Sequence, residues 1–416
     1  MNINNGAIET NAIYSDKFTP ANVRLTNDLS SGEEFLAVEK TIETFMRKWA
    51  IKGASIAIAK DGKLIYSKGF GYTDTISKAI TQPYNKFRVA SISKLVTAVA
   101  IMKLVETGKL SLKDKVFGYD GILDDPYFSE PLDKRVYGIT VEHLLSHTGG
   151  WSQRYGDQMF MPTVVAEKMG VNSPADTKTI VRFALDKRLH FTPGSRTSYS
   201  NLGYGILGLV VEKASGMSYE EYCKKTIFEP LGIYDMSIAG NLPTDKTAFE
   251  VSYYEPEDAI LKPSIYGTGE LVNASYGGND IQALGGAGAW VATAPDLMKF
   301  LLAVDGFSSR PDILSSKSIH LMTDNESAPL GWRTTINNGT WWRTGSFPGS
   351  AGMMKRQADG TAWVVLFNSS AWNGPEIHSY VNNMMLKAVS QIKEWPDYDL
   401  FYHSLPVPLI ANGFDN

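Results

Sequence analysis

Both ends of the chain carry the same pattern in mirror order, and this limits the fold. Phe35, Val38, Ile42, Phe45, Met46 and Trp49 recur at helical spacing. Ser31-Gly32-Glu33-Glu34 stands before them as a capping-box pattern, so a helix is predicted to run to about Ala50. Two apolar runs follow, 54–59 and 64–69, joined by Lys60-Asp61-Gly62, which has hairpin chemistry. Toward the other end, 341–346, 352–356 and 361–368 read as strands, with Asp359-Gly360 turning the last two. A helix is then predicted over 376–393, with Ile377, Val381, Met384, Met385 and Val389 on one side. Helix then hairpin, and hairpin then helix, fit one antiparallel sheet assembled from both ends of the chain with helices packed on it.

The middle is different. Segments 91–107, 138–146, 176–187, 202–215, 218–228 and 294–303 have helical periodicity and are separated by Gly, Pro and Asn loops. The expected class is therefore α+β: an antiparallel sheet flanked by N- and C-terminal helices, with a largely helical inserted subdomain. A catalytic domain is expected over 31–393, its α/β part about 31–90 and 285–393 and its helical part about 91–284. Residues 1–30 read as a polar tail and 394–416 as an aromatic, proline-rich strap.

Composition excludes several classes. Lys+Arg 40 against Asp+Glu 44 gives a net charge of -4, with both signs mixed along the chain, which argues against a nucleic-acid partner. The single cysteine, Cys223, rules out an intramolecular disulfide and a cysteine-rich metal cluster. No apolar run approaches a bilayer span, and the first residues carry neither a basic nor an apolar leader region. As written the chain reads as soluble, periplasmic or secreted if a signal peptide preceded this numbering and cytoplasmic otherwise. Oligomeric state is not legible.

Three short motifs could carry chemistry. There is no G-x-S-x-G elbow, but Ser91-Ile92-Ser93-Lys94 opens a segment that reads as an amphipathic helix capped by Gly108. Residues i and i+3 share a helix face, so the Lys94 amine can reach the Ser91 hydroxyl. A serine needs a neighbouring base to become a nucleophile, and the helix start offers N–H groups to a developing oxyanion. A lysine that accepts protons must be desolvated. The second motif is Tyr199-Ser200-Asn201, on a loop roughly a hundred residues on. A phenol beside an ammonium loses its proton more readily, and an amide can hold a substrate carbonyl. The third is Arg343-Thr344-Gly345-Ser346 on a late strand, a cation, a hydroxyl and a glycine along one edge. Each alone is weak: Ser390-Gln391-Ile392-Lys393 also has the Ser–Lys spacing and reads as a solvated helix face, and the other two fit a buried tyrosine beside a helix-capping asparagine and an ordinary edge strand.

The order of the three resembles the serine β-lactamase and penicillin-binding-protein superfamily. The tyrosine in the middle motif is similar to class C β-lactamases, D-specific peptidases and related esterases. The flanking Arg88-Val89-Ala90, 144–150, 230–233, 285–288 and 293–296 agree, so the resemblance covers about 32–393. It implies a β-lactamase/transpeptidase-like fold and an acyl-enzyme mechanism without metal or cofactor. Ser91 would be acylated, Lys94 and Tyr199 would move the proton, and Asn201 would orient the substrate. Arg343 and Thr344 would line the pocket beside Gly345, and the N–H groups of Ser91 and Ser346 would hold the oxyanion. The expected substrate is a small molecule or short peptide: an ester, a D-amino-acid amide or peptide, or less readily a β-lactam. Alternatives are a transacylase and a sensor module that acylates without turnover. Arg343 departs from the pattern, where the lactamases carry lysine and many relatives histidine. It keeps the charge and could grip a carboxylate through two hydrogen bonds.

Other signals favour ordinary roles. His143 and His147 have a zinc-ligand spacing but no internal glutamate or third ligand. The glycines of 203–208 match G-x-G-x-x-G inside a predicted helix with no preceding strand, and are better read as packing positions. Cys223 reads as an incidental thiol, and Trp151 and Tyr155 as pocket wall or plain packing.

Overall fold

A computed structural model describes residues 24–324, 328–336, 338–370 and 376–402. The expected calls on 1–23 and 403–416 lie outside the described residues. The sheet is antiparallel and seven-stranded. Its members are β1 (Gly53–Lys60), β2 (Lys63–Asp74) and β3 (Ala79–Ile80) from one end of the chain, and β9 (Thr334–Ile336), β10 (Thr340–Phe347), β11 (Ser350–Arg356) and β12 (Thr361–Phe367) from the other. The order is β3-β2-β1-β12-β11-β10-β9, so β1 and β12 join the two ends at the centre of the sheet. Their register pairs Ile56 with Val365 and Ile58 with Trp363.

The strands read as continuous apolar runs because both faces are covered. Alternation sends Ile56 and Ile58 of β1, with Trp363, Val365 and Phe367 of β12, to one face, into a core with the helices Leu36–Lys48 and Ile377–Val389. Ala57 and Ala59, with Ala362, Val364 and Leu366, face the other core, which holds the helix Ala294–Leu302 and the inserted region. The helix Leu36–Lys48 begins without the expected capping box. Glu33–Phe35 form a 3₁₀ turn instead, and the Ser31 hydroxyl donates back to the Asp28 carbonyl.

Three short strands, β4 (Phe87–Arg88), β5 (Ser237–Ile238) and β8 (Trp290–Ala292), make a small sheet of order β4-β8-β5 where the chain enters and leaves the insertion. β6 (Lys262–Pro263) and β7 (Leu271–Val272) form a separate hairpin. The helices Ser93–Glu106 and Asn201–Ser215 lie against each other in the insertion. The first is not amphipathic as expected: Ser93–Met102 and Leu104 are buried all round. Its polar residues have internal partners. Ser93 Oγ accepts the Trp290 N–H at 3.2 Å, and the Thr97 hydroxyl donates to the Gly286 carbonyl at 2.6 Å.

The described part of the N-terminal segment is tied to the sheet, since Asn27 Oδ1 accepts the Gly69 N–H and Ser30 Oγ the Ser67 N–H. Asp399 Oδ1 accepts the Leu64 N–H near the C-terminal end. Among the described residues no helix is long and apolar enough to cross a membrane. The chain-end core predicts that Ile58→Ala, which empties a wholly buried position, lowers stability by about 2–5 kcal/mol. Urea unfolding should show this as a lower midpoint at unchanged slope.

Candidate active site

The site is built where β10 meets the turn before the helix Ser93–Glu106. Ser91 lies in a 3₁₀ turn, Ala90–Ile92, rather than in the helix itself. Ala90 holds φ 49°, a left-handed backbone that alanine rarely adopts. Gly345 makes the approach of strand and turn possible. A Cβ there would lie 2.1 Å from the Val89 carbonyl oxygen and 2.9 Å from the Ser91 nitrogen, so any side chain would push the two apart.

Lys94 is wholly buried. Its ammonium donates to Ser91 Oγ at 3.2 Å, Asn201 Oδ1 at 2.7 Å and the Ala287 carbonyl at 2.5 Å. A lysine has three hydrogens to give, so the pocket supplies a complete set of acceptors. Burial brings the Lys94 pKa down to about 8, against the opposing pull of Tyr199. The Tyr199 hydroxyl is 2.7 Å from Ser91 Oγ. Burial alone would raise its pKa, but the Lys94 and Arg343 cations outweigh that and bring it down to about 8. Each charged form therefore favours the other, ammonium beside phenolate.

Tyr199 is held from behind by His147, whose ring packs on it at 4.6 Å and on Tyr204 at 5.0 Å. His147 Nδ1 accepts the Ser200 N–H. Burial first, then the neighbouring Arg343, Lys94 and Arg333 charges, pushes its pKa well down, so the ring is neutral. His143 Nδ1 accepts the Thr140 N–H in a capping box. Among the described residues no group of three or more His, Cys, Asp or Glu side chains is placed to hold a metal. Cys223 is buried, and burial raises its thiol pKa beyond ordinary reactivity.

Arg343 and Asn201 are placed with Ser91, but not as free substrate ligands. Arg343 is 1% exposed. Its guanidinium donates to the Ser91 carbonyl at 2.8 Å, the Trp332 carbonyl at 3.3 Å and Tyr199 Oη at 3.3 Å. The fork expected to grip a carboxylate clamps the backbone of Ser91 instead. The exposed cation nearby is Arg333, 5.8 Å from the Tyr199 ring centre. Asn201 is the first residue of its helix and Ser200 is the cap, its Oγ accepting the Gly203 N–H. Asn201 Oδ1 accepts from Lys94, and its Nδ2 donates to Asp157 Oδ2 at 2.7 Å.

Thr344 and Ser346 are half-buried on β10. Strand alternation puts their N–H groups on the same edge as Trp342, whose carbonyl takes the Arg333 N–H. β9 pairs only with 340–342, so that edge is open beside Ser91. Sequence reading missed Asp157 and Trp332, which sit in irregular loops without periodicity. It also missed His378, whose Nε2 lies 3.1 Å from the Gly345 carbonyl. His378 is in the first turn of a predicted helix, and no pattern marks it.

A serine hydrogen-bonded to a buried lysine thus stands in the turn before a helix, on an antiparallel sheet with a helical insertion. The sequence model of the family described as Beta-lactamase matches residues 38–382, and the chain belongs to that family. Penicillin-binding protein 4* of Bacillus subtilis (strain 168) is 27% identical over 376 residues, 87% of this chain and 77% of that protein. Protein flp of Staphylococcus aureus (strain N315) is 32% identical over 209 residues, 50% of this chain. That match spans only 38% of the staphylococcal protein's own length. Among solved structures, the octameric penicillin-binding protein homologue from Pyrococcus abyssi aligns with TM-score 0.62 at 28% identity, covering 88% of this chain and 79% of that one. The D-amino acid amidase from Ochrobactrum anthropi SV3 complexed with D-phenylalanine aligns with TM-score 0.68 at 22% identity, covering 87% and 99%.

The charge arrangement makes a directional prediction. Arg343→Gln removes a cation that lowers the Tyr199 pKa, so the phenolate forms at higher pH. The rate of fluorophosphonate labelling, followed from pH 6 to 10, should rise through a midpoint above that of the unchanged protein. Arg343→Lys, which keeps the charge, should restore part of the shift.

Proposed function

We propose that this chain is a serine hydrolase that works through an acyl-enzyme on esters and on amides of amino acids or short peptides. The observation that carries this is the position of Ser91 Oγ, 2.7 Å from a tyrosine and 3.2 Å from a lysine, the pKa of each brought down by its surroundings. Tyr199 as phenolate takes the Ser91 proton while the oxygen attacks the acyl carbon. The oxyanion is met by the Ser91 and Ser346 N–H groups. As the C–O or C–N bond breaks, Tyr199 returns the proton to the leaving alkoxide or amine. A water enters by the reverse route, giving its proton to Tyr199 and its oxygen to the acyl carbon, and the Ser91 oxygen leaves with a proton. Lys94 stays at the centre as the charge that holds Tyr199 ionised.

An open β10 edge and a half-buried Ser91 suit a small substrate. β-Lactams are poor candidates, because the two polar groups expected to bind them, Arg343 and Asn201, are engaged inside the protein. The family membership supports the acyl-enzyme chemistry, and a D-amino acid amidase and a hydrolase with promiscuous acyltransferase activity share the fold.

Treatment with a fluorophosphonate should add one adduct at Ser91, read by intact mass and peptide mapping, and none in Ser91→Ala. Turnover of p-nitrophenyl esters should be lost in the same variant. An adduct elsewhere, or ester turnover that survives Ser91→Ala, would refute the assignment. A burst of one product equivalent without steady turnover would instead support the acylating sensor.

A further inference from the structure

The loop from Trp151 to Met161 brings a carboxylate to the site that the acyl-enzyme chemistry does not use. Asp157 caps the 3₁₀ turn Gln158–Phe160, with Oδ1 accepting the Met159 N–H at 3.1 Å. Its Oδ2 takes the Asn201 Nδ2–H at 2.7 Å and the Gln153 Nε2–H at 2.8 Å. The loop is anchored against the end of β10, where Phe160 meets Phe347 edge to face at 6.1 Å. The carboxylate is half-buried, and among the described residues it makes no ion pair.

Two carboxylate oxygens offer about four acceptor positions. Three are taken by neutral donors, which leaves one on Oδ1. Asn201 and Ser91 share Lys94 as donor, so an acyl substituent on that side of Ser91 comes near Asn201. An acylamino substituent presents a carbonyl oxygen there. With one Asn201 Nδ2 hydrogen already given to Asp157, that oxygen could take only the other and would sit against a negative charge. A free ammonium is a donor and a cation. It can add to Asp157 without breaking any existing bond, and a charge-assisted hydrogen bond is the stronger kind.

We propose that Asp157 is a specificity residue that binds the free α-ammonium group of an α-amino acyl substrate and disfavours N-acylated ones. This rests on the reading of Ser91 as the acylated residue, and names the substrate class of that same site.

The test uses Ser91→Ala protein, so that binding is measured without turnover. The ligands are phenylalaninamide, both enantiomers, and the N-acetyl form of each, measured by calorimetry at neutral pH. The free amine of at least one enantiomer should bind ten- to a hundredfold more tightly than its acetylated form, the span expected for a hydrogen bond to a charged group. Adding Asp157→Asn should reduce that ratio to about one. Equal or tighter binding of the acetylated forms overturns the proposal, as does an unchanged ratio in the Asp157→Asn variant or failure of every free amine to bind. The comparison within Ser91→Ala alone keeps the test valid if the second substitution perturbs folding. Fluorophosphonate labelling of unmutated protein reports on Ser91 separately. An active Ser91 with no amine preference defeats this inference and leaves the hydrolase reading standing.

Discussion

The site depends on one buried cation. Lys94 has no exposed surface, and an unpaired ammonium in such a place is costly. The surrounding chain answers with three acceptors, each from a different segment: Ser91 in the turn, Asn201 at a helix start and the Ala287 carbonyl between the insertion and the sheet. The same charge that must be satisfied is the charge that makes Tyr199 acidic. Structural demand and chemical use thus coincide in one side chain.

Arg343 adds a second buried cation on the strand side. Its two carbonyl partners, Ser91 and Trp332, fix the turn against β10, and its third contact reaches Tyr199. A lysine there would be a point charge. The planar guanidinium reaches three oxygens at once, which suits it to bracing a backbone as well as lowering a phenol's pKa. Gly345 allows the approach, since any Cβ would collide with the Val89 carbonyl. The strained Ala90 lies in the same turn, next to Ser91.

Much of this was legible in the sequence. The sheet built from both ends was, because β1 and β12 bury both faces and therefore read as unbroken apolar runs. The residues near Ser91 were found through motif order. What they bond to was not, because a side chain's direction depends on its tertiary partners. Arg343 looked like a cation aimed at substrate, yet its guanidinium turns inward. The segment after Ser91 read as an amphipathic helix, but its Ser93, Lys94 and Thr97 are turned into the protein and satisfied there. Glu34 stood at the right spacing for a capping box, but the 3₁₀ turn begins at Glu33, one residue later than that box requires, and Gly32 takes the cap position. Asp157 is a lone acidic residue in an irregular loop, with no periodicity to single it out.

The central claim is that Tyr199 is a phenol made acidic by buried cations and poised on Ser91. Ultraviolet difference titration near 295 nm, comparing the unchanged protein with Tyr199→Phe, addresses it directly. The account predicts one tyrosine ionisation with a midpoint near pH 8 in the unchanged protein, absent from the variant. If both proteins show the same titration, with no tyrosine ionising until near the ordinary value of about 10, the proton-transfer role given to Tyr199 is wrong.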